Sequence, residues 1–140
     1  YLSVDLQDVE RTHIGWEVHP EALLKLLTDL HQTYKLPPIY ITENGAAVDD
    51  HVVNGVVDDE QRCRYYQNHL SMVHEAIKIG VDIRGYFAWS LMDNFEWAEG
   101  YKMRFGIVYV DYETQERTLK NSAIKFQEFL SARKAEQLQG

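Results

Sequence analysis

Two short segments of this chain read as buried strands, and each ends in a cluster of polar residues. Ile39-Tyr40-Ile41-Thr42 is apolar and largely β-branched, with Pro37-Pro38 before it and Asn44-Gly45 after it. Ile83 to Ser90 (IRGYFAWS) is the second. Helical patterns precede, separate and follow them. The order helix, strand, helix, strand, hairpin, helix predicts an α/β fold of parallel βα units. Two central strands cannot close a barrel, so this much chain leaves sheet edges and helix faces bare.

The helices are legible from their spacing. Pro20 suits a first helical turn, where its missing N–H costs nothing. Leu23, Leu26, Leu27, Leu30 and Tyr34 follow as one apolar stripe, ended by the proline pair. Asp58, Asp59 and Glu60 place negative charge where the next helix dipole favours it. Tyr66, Leu70, Val73 and Ile77 form its expected inner face, with Gly80 as C-terminal cap. Residues 1–19 read as irregular, and 46–57 as a loop with valine pairs around Gly55. Phe105 to Tyr112 alternates and predicts a strand or hairpin, residues 113–118 a turn. Residues 121–135 predict a last helix through Ile124, Phe126, Phe129 and Leu130.

Composition excludes several function classes. The formal charge of -8 over 140 residues, without a basic run, disfavours nucleic acid as partner. No apolar stretch approaches the ~20 residues of a membrane span. Cys63 is the one cysteine, and no Cys/His cluster has zinc spacing, so no metal is expected. Cys63 reads as a small buried hydrophobe. The acidic balance and lone thiol point to the cytoplasm. The chain starts at Tyr1 without a basic and apolar leader, which leaves a processed N-terminus or a piece of a longer polypeptide.

Glu43 stands at the C-terminal end of the first strand, where α/β enzymes place reactive groups. Alone it also reads as a surface glutamate before an Asn-Gly turn. Asp93, Asn94, Glu96 and Trp97 crowd the corresponding end of the second strand, just beyond Trp89. Aromatic faces stack on the C–H faces of sugar rings, and carboxylates and amides read hydroxyls. That mixture suits an uncharged polyhydroxylated ligand. The plainer alternatives are core packing for Trp89 and Trp97 and a solvated loop position for Glu96.

Ile41-Thr42-Glu43-Asn44-Gly45 resembles the nucleophile motif of family 1 glycoside hydrolases, the β-glucosidase family. Gly85 to Trp97 (GYFAWSLMDNFEW) resembles its sugar-binding strand and loop. Gly15-Trp16-Glu17-Val18-His19-Pro20 and Arg104 to Asp111 (RFGIVYVD) also match the family pattern, and the likeness runs over nearly all the chain. The resemblance implies a retaining β-glycosidase with Glu43 as nucleophile. Glu96 and Trp97 would bind sugar hydroxyls, Trp89 would form the stacking floor, Trp16 the aglycone platform, and Phe105 would line the cleft. Tyr109 and Asp111 are assigned to structure. No cofactor is implied. The partners implied are a β-glycoside or oligosaccharide substrate and the remainder of a barrel.

One part of the family pattern is missing. The family carries its acid/base glutamate in an Asn-Glu-Pro motif on an earlier strand, and this sequence contains no such tripeptide. An earlier segment whose Tyr orients the nucleophile is also absent. A (β/α)8 barrel takes roughly 250 residues or more. The resemblance therefore implies that residues 1–140 are the C-terminal segment of one TIM-barrel domain, its seventh and eighth βα units. Alone, such a segment is expected to be inactive and poorly folded. Two other readings stay open: a catalytically silent sugar-binding or assembly fragment, and a 6-phospho-β-glycosidase. Glu96 argues against the last, because its carboxylate would repel a dianionic phosphate, although Tyr101 and Lys102 stand nearby.

Overall fold

The computed structural model describes residues 8–137; the first seven residues of the expected irregular N-terminal stretch lie outside that range. Helix α1 (Pro20–Thr33) opens on proline at its first position and ends where Tyr34 becomes extended. It leads into strand β1 (Ile39–Asn44). A small hairpin follows, β2 (Val52–Val53) against β3 (Val56–Val57). Its turn residues Asn54 and Gly55 both have positive φ, 53° and 78°, as a two-residue hairpin of right-handed twist requires. Helix α2 (Glu60–Lys78) then runs back, and Gly80 (φ 100°) lets the chain turn out of it.

Strand β4 (Ile83–Ala88) lies parallel to β1. With α2 between them, β1 and β4 form the expected parallel unit. Beyond it, β5 (Val108–Val110) pairs antiparallel with β6 (Arg117–Leu119), and α3 (Asn121–Gln137) closes the chain.

One apolar cluster joins the helices to the sheet. Leu27, Ala76 and Val81 are buried, and Leu23, Leu24, Ile39, Ile41 and Ile83 pack against them. A second cluster lies beneath the strand ends: Ala47, Met103 and Phe105, covered by Ile14 and Trp89.

The helix faces differ in detail from the periodic reading. On α1, Leu26 and Tyr34 are exposed, and Leu27 is the buried residue. On α2 the buried stripe is Arg62, Cys63, Tyr66, His69, Val73 and Ala76. Leu70 is only half-buried, and Ile77 is 46% exposed. The stripe is rotated because Arg62 takes an inward position, satisfied by charge rather than by apolar contact. Ile124 and Leu130 of α3 are exposed as well. On the sheet, Tyr40 and Phe87 are more than half exposed. Both rings stand close to where a Cβ on Gly85 would lie, so the face away from the helices is apolar and uncovered among the described residues.

Candidate active site

Two irregularities in the β1–β4 ladder decide what the strands present. Ile39 pairs with Ile83 but Tyr40 with Gly85, and Ile41 pairs with Tyr86 but Asn44 with Ala88. Each shift inserts one extra residue, first in β4 and then in β1, and an extra residue reverses the alternation beyond it. Ile39 and Ile41 pack into the helix-facing cluster. Past the second bulge Asn44 also reaches the helix side, where its Nδ2 donates to the Tyr65 hydroxyl at 3.2 Å. Its Oδ1 accepts from the Tyr86 hydroxyl at 2.6 Å. Thr42 and Glu43 are left exposed on the strand.

The other strand end is joined directly to this one. The Trp89 N–H donates to the Asn44 carbonyl at 2.9 Å. The Trp89 carbonyl accepts from the Tyr66 hydroxyl at 3.2 Å, and the Trp89–Ser90 peptide is cis. From there the chain is held against the segment before β5. The Ser90 N–H donates to the Phe105 carbonyl, and the Ile107 N–H to the Ser90 carbonyl. Asn94 is tied back by its Nδ2 to the Ser90 hydroxyl and the Met92 carbonyl, both at 3.0 Å.

Glu96 and Trp97 follow. The Glu96 N–H donates to the Gly100 carbonyl at 2.6 Å, closing a tight turn around the 3₁₀ segment Trp97–Glu99. Trp97 has φ 42° and is 82% exposed. Glu96 is half-buried. Among the described residues neither Glu43 nor Glu96 has a side-chain hydrogen-bond or ion-pair partner.

Trp16 reaches the same region from the N-terminal side. Its turn is closed by the Thr12 N–H to the Trp16 carbonyl at 2.8 Å and braced by the Arg11–Glu17 pair at 2.9 Å. The His13 N–H donates to Ala47 in the loop after β1. The exposed Trp16 ring stands 5.8 Å from that of Phe105. Phe105 itself is only 3% exposed and packs with Ala47, Met103 and Trp89. Its buried ring lies against both Trp16 and Trp89.

The crowd of carboxylates expected at this mouth divides in two. Asp93 is not free for a ligand: it is 4% exposed and held by Lys120 at 2.7 Å and Arg104 at 2.6 Å. Its oxygens also accept from the Gly106 and Val110 N–H groups. Asp93 belongs to a buried network that periodicity did not reveal. Lys120 bridges Asp93 and Asp50, the latter at 2.6 Å. Arg62 takes Asp50 through both terminal nitrogens, at 3.1 and 2.8 Å, and Asp59 at 2.5 Å. Its remaining N–H groups reach the carbonyls of Ala46 and Arg104. Asp59 accepts in turn from the Ser122 N–H and hydroxyl.

Three carboxylates and three cations balance in this network, and burying charge without such pairing is costly. Burial alone would lower the Arg62 pKa, but Asp50 and Asp59 outweigh it and hold the guanidinium above its ordinary value. Burial foremost, then the charge of Arg62, draws the Lys120 ammonium down, with Asp50 and Asp93 opposing. The network thus consumes the local cations and joins the loop after β1 to the loop after β4. The available signal in the sequence was Arg62, a charge four residues before Tyr66 on an otherwise inward stripe.

No group of three or more His, Cys, Asp or Glu among the described residues is arranged to hold a metal ion, and no helix among them is long and apolar enough to cross a membrane.

The chain is 59% identical over 112 residues to a β-glucosidase of an Agrobacterium strain, covering 80% of this chain and 24% of that protein. It is 51% identical over 117 residues to β-glucosidase A of Thermotoga maritima, covering 83% and 26%. The crystal structure of the psychrophilic β-glucosidase BglU of Micrococcus antarcticus superposes with a TM-score of 0.89 at 54% identity, over 91% of this chain and 28% of that one. The chain therefore spans about a quarter of the length of the relatives it matches. Its α/β architecture is that of a segment of their fold. Residues 3–135 match the pattern of glycosyl hydrolase family 1, and the chain belongs to that family.

Proposed function

We propose that this chain supplies the nucleophile and part of the sugar-binding surface of a retaining β-glycosidase that hydrolyses terminal β-D-glycosides. The supporting observation is the division among its carboxylates. Asp50, Asp59 and Asp93 are buried and fully engaged by Arg62, Lys120 and Arg104. Glu43 is left exposed and, among the described residues, without a side-chain partner, at a strand end whose neighbour carries Trp89.

In the proposed mechanism Glu43 attacks the anomeric carbon. The C1–O bond to the aglycone breaks, and a C1–Oε ester to Glu43 forms. A second carboxylic acid gives its proton to the departing oxygen. It then takes a proton from the water that attacks C1 and releases Glu43. In retaining enzymes the two groups stand about 5–5.5 Å apart. That acid/base comes from a segment outside these 140 residues. Glu96 and the Trp97 indole N–H bind sugar hydroxyls, and such bonds accelerate the reaction where they tighten as the ring flattens. Trp89 stacks beneath the sugar, and Trp16, resting on Phe105, faces the aglycone. No metal or cofactor takes part.

The chain corresponds in this reading to the seventh and eighth βα units of a (β/α)8 barrel, the C-terminal segment of one domain. The uncovered apolar face with Tyr40 and Phe87 is where the other strands pack. Its acidic charge and single thiol suit the cytoplasm.

Trapping tests the assignment. A 2-deoxy-2-fluoro-β-glycoside incubated with the full-length polypeptide should leave a stable adduct on Glu43, located by peptide mass mapping. Glu43→Gln should remove turnover and trapping while leaving the fold intact. An adduct on another residue refutes the role. A sugar-binding fragment without acid/base is the second reading, favoured by the missing Asn-Glu-Pro. It predicts glycoside binding with neither turnover nor adduct.

A further inference from the structure

The residue beside the proposed nucleophile is locked by two phenols. Asn44 ends β1, directly after Glu43, and its side chain crosses to the helix face of the sheet. Tyr86 of β4 donates to Asn44 Oδ1 at 2.6 Å, and Asn44 Nδ2 donates to the Tyr65 hydroxyl of α2 at 3.2 Å. The two bonds use opposite ends of the amide, so they define its orientation as well as its position.

Each phenol is itself fixed. Tyr65 stacks on His69, with ring centroids 3.9 Å apart, and His69 Nδ1 lies 2.8 Å from the Tyr65 carbonyl. Tyr86 stands in the β1–β4 ladder, its backbone paired with Ile41. Burial pushes both hydroxyls above the ordinary tyrosine range, so both stay protonated, Tyr86 donating to Asn44 and Tyr65 accepting from it. The Asn44 backbone is held as well, by its carbonyl to the Trp89 N–H.

This clamp sits where the strand is least determined by its own ladder. The extra residue of β1 falls between Ile41 and Asn44, and a bulged residue has no pairing partner to set its direction. Among the described residues, the direction of Glu43 is therefore set by the anchoring of its neighbours. Ile41 is anchored by the apolar cluster, and Asn44 by the two phenols. With Asn44 drawn to the helix side, Glu43 stays on the open side.

We infer that Tyr86 and Tyr65 are positioning residues which, by clamping Asn44 across the β1 bulge, hold Glu43 in its attacking direction. This inference rests on Glu43 being the nucleophile. A misdirected nucleophile slows attack without weakening sugar binding, since small displacements of a reacting group are expensive in rate.

The test measures inactivation of the full-length polypeptide by a 2-deoxy-2-fluoro-β-glycoside, separating the limiting rate constant from the half-saturating concentration. Tyr86→Phe should lower the limiting rate five- to fifty-fold, with half-saturation within twofold of the parent and a native circular-dichroism spectrum. Tyr65→Phe, altered at a half-buried position, should lower it three- to tenfold and serves where Tyr86→Phe does not fold. Parental rates in either folded variant overturn the clamp. A rise in half-saturation at an unchanged rate does so too, because it makes the tyrosines part of the sugar site. Should the parent form no adduct on Glu43 at all, the nucleophile assignment fails, and the clamp with it. That outcome is distinct from normal trapping in parent and variants alike.

Discussion

The carbonyl of Trp89 lies so close to Gly45 that a Cβ placed there would stand 1.6 Å from its oxygen and 2.7 Å from its carbon. Glycine is needed at this position for contact rather than for backbone freedom. The same carbonyl accepts from Tyr66, and the Trp89 N–H donates to Asn44. The β1 and β4 ends thus meet backbone to backbone, beside Glu43. Gly45→Ala must separate them. It should cost about 1–3 kcal/mol or more, as overpacking does, visible as a lower urea midpoint. In the full-length polypeptide it should also lower glycoside turnover, since Glu43 and Trp89 move apart.

Lys120 has no exposed surface and bridges Asp50 and Asp93. Lys120→Met leaves two carboxylates facing each other without their shared cation. Breaking a buried pair in this way costs about 3–5 kcal/mol. Lys120→Met with Asp93→Asn removes one charge of each sign and should recover part of the loss. Denaturant unfolding of the parent and the two variants checks the order.

His69 is 5% exposed, and burial holds its pKa below the ordinary 6.5, despite the Tyr65 carbonyl and Glu21 acting the other way. The unfolded chain takes up the proton first as pH falls. Stability from this group is therefore complete above about pH 6.5 and declines as pH drops from there through the lower native value. His69→Gln should flatten that part of the profile. Urea midpoints between pH 5 and 8, on the order of half a unit apart, measure it.

Cys63 is 6% exposed, and its thiol is pushed up to about 11, by burial first and by Asp59 next. The thiolate is the reactive form. At pH 8 the native thiol should react with a disulfide reagent far more slowly than the same protein in urea. A rate equal to that of the unfolded chain contradicts its placement against Asp59.

Glu96, in the loop that reads sugar hydroxyls under the proposed function, carries a carboxylate with no side-chain partner among the described residues. A phosphate there would be repelled by about 1 kcal/mol at contact in water, and more where water is excluded. Hydrolysis of a β-glucoside should exceed that of its 6-phosphate by tenfold or more. The reverse preference would assign the chain to the phospho-sugar branch.

Much of this arrangement was legible from the order of residues. Proline at the start of α1, glycine after α2 and the two apolar strands act through local geometry, and those elements form where their patterns lie, whereas residues 52–57, read as part of a loop, form the β2–β3 hairpin. That the β1 and β4 ends adjoin was legible too, and the bond from the Trp89 N–H to the Asn44 carbonyl joins them beside Glu43. Three-dimensional packing decided the rest. Arg62 points inward because Asp50 and Asp59 meet it there, and Asp93 leaves the candidate site because Lys120, far along the chain, reaches it first. Phe105 lies beneath Trp16 and Trp89, and Asn44 turns to the helices past a bulge that no periodicity encodes. These outcomes depend on which charges and rings meet once the strands pair. Such meetings are properties of long-range contacts, and a period of two or 3.6 residues carries no record of them.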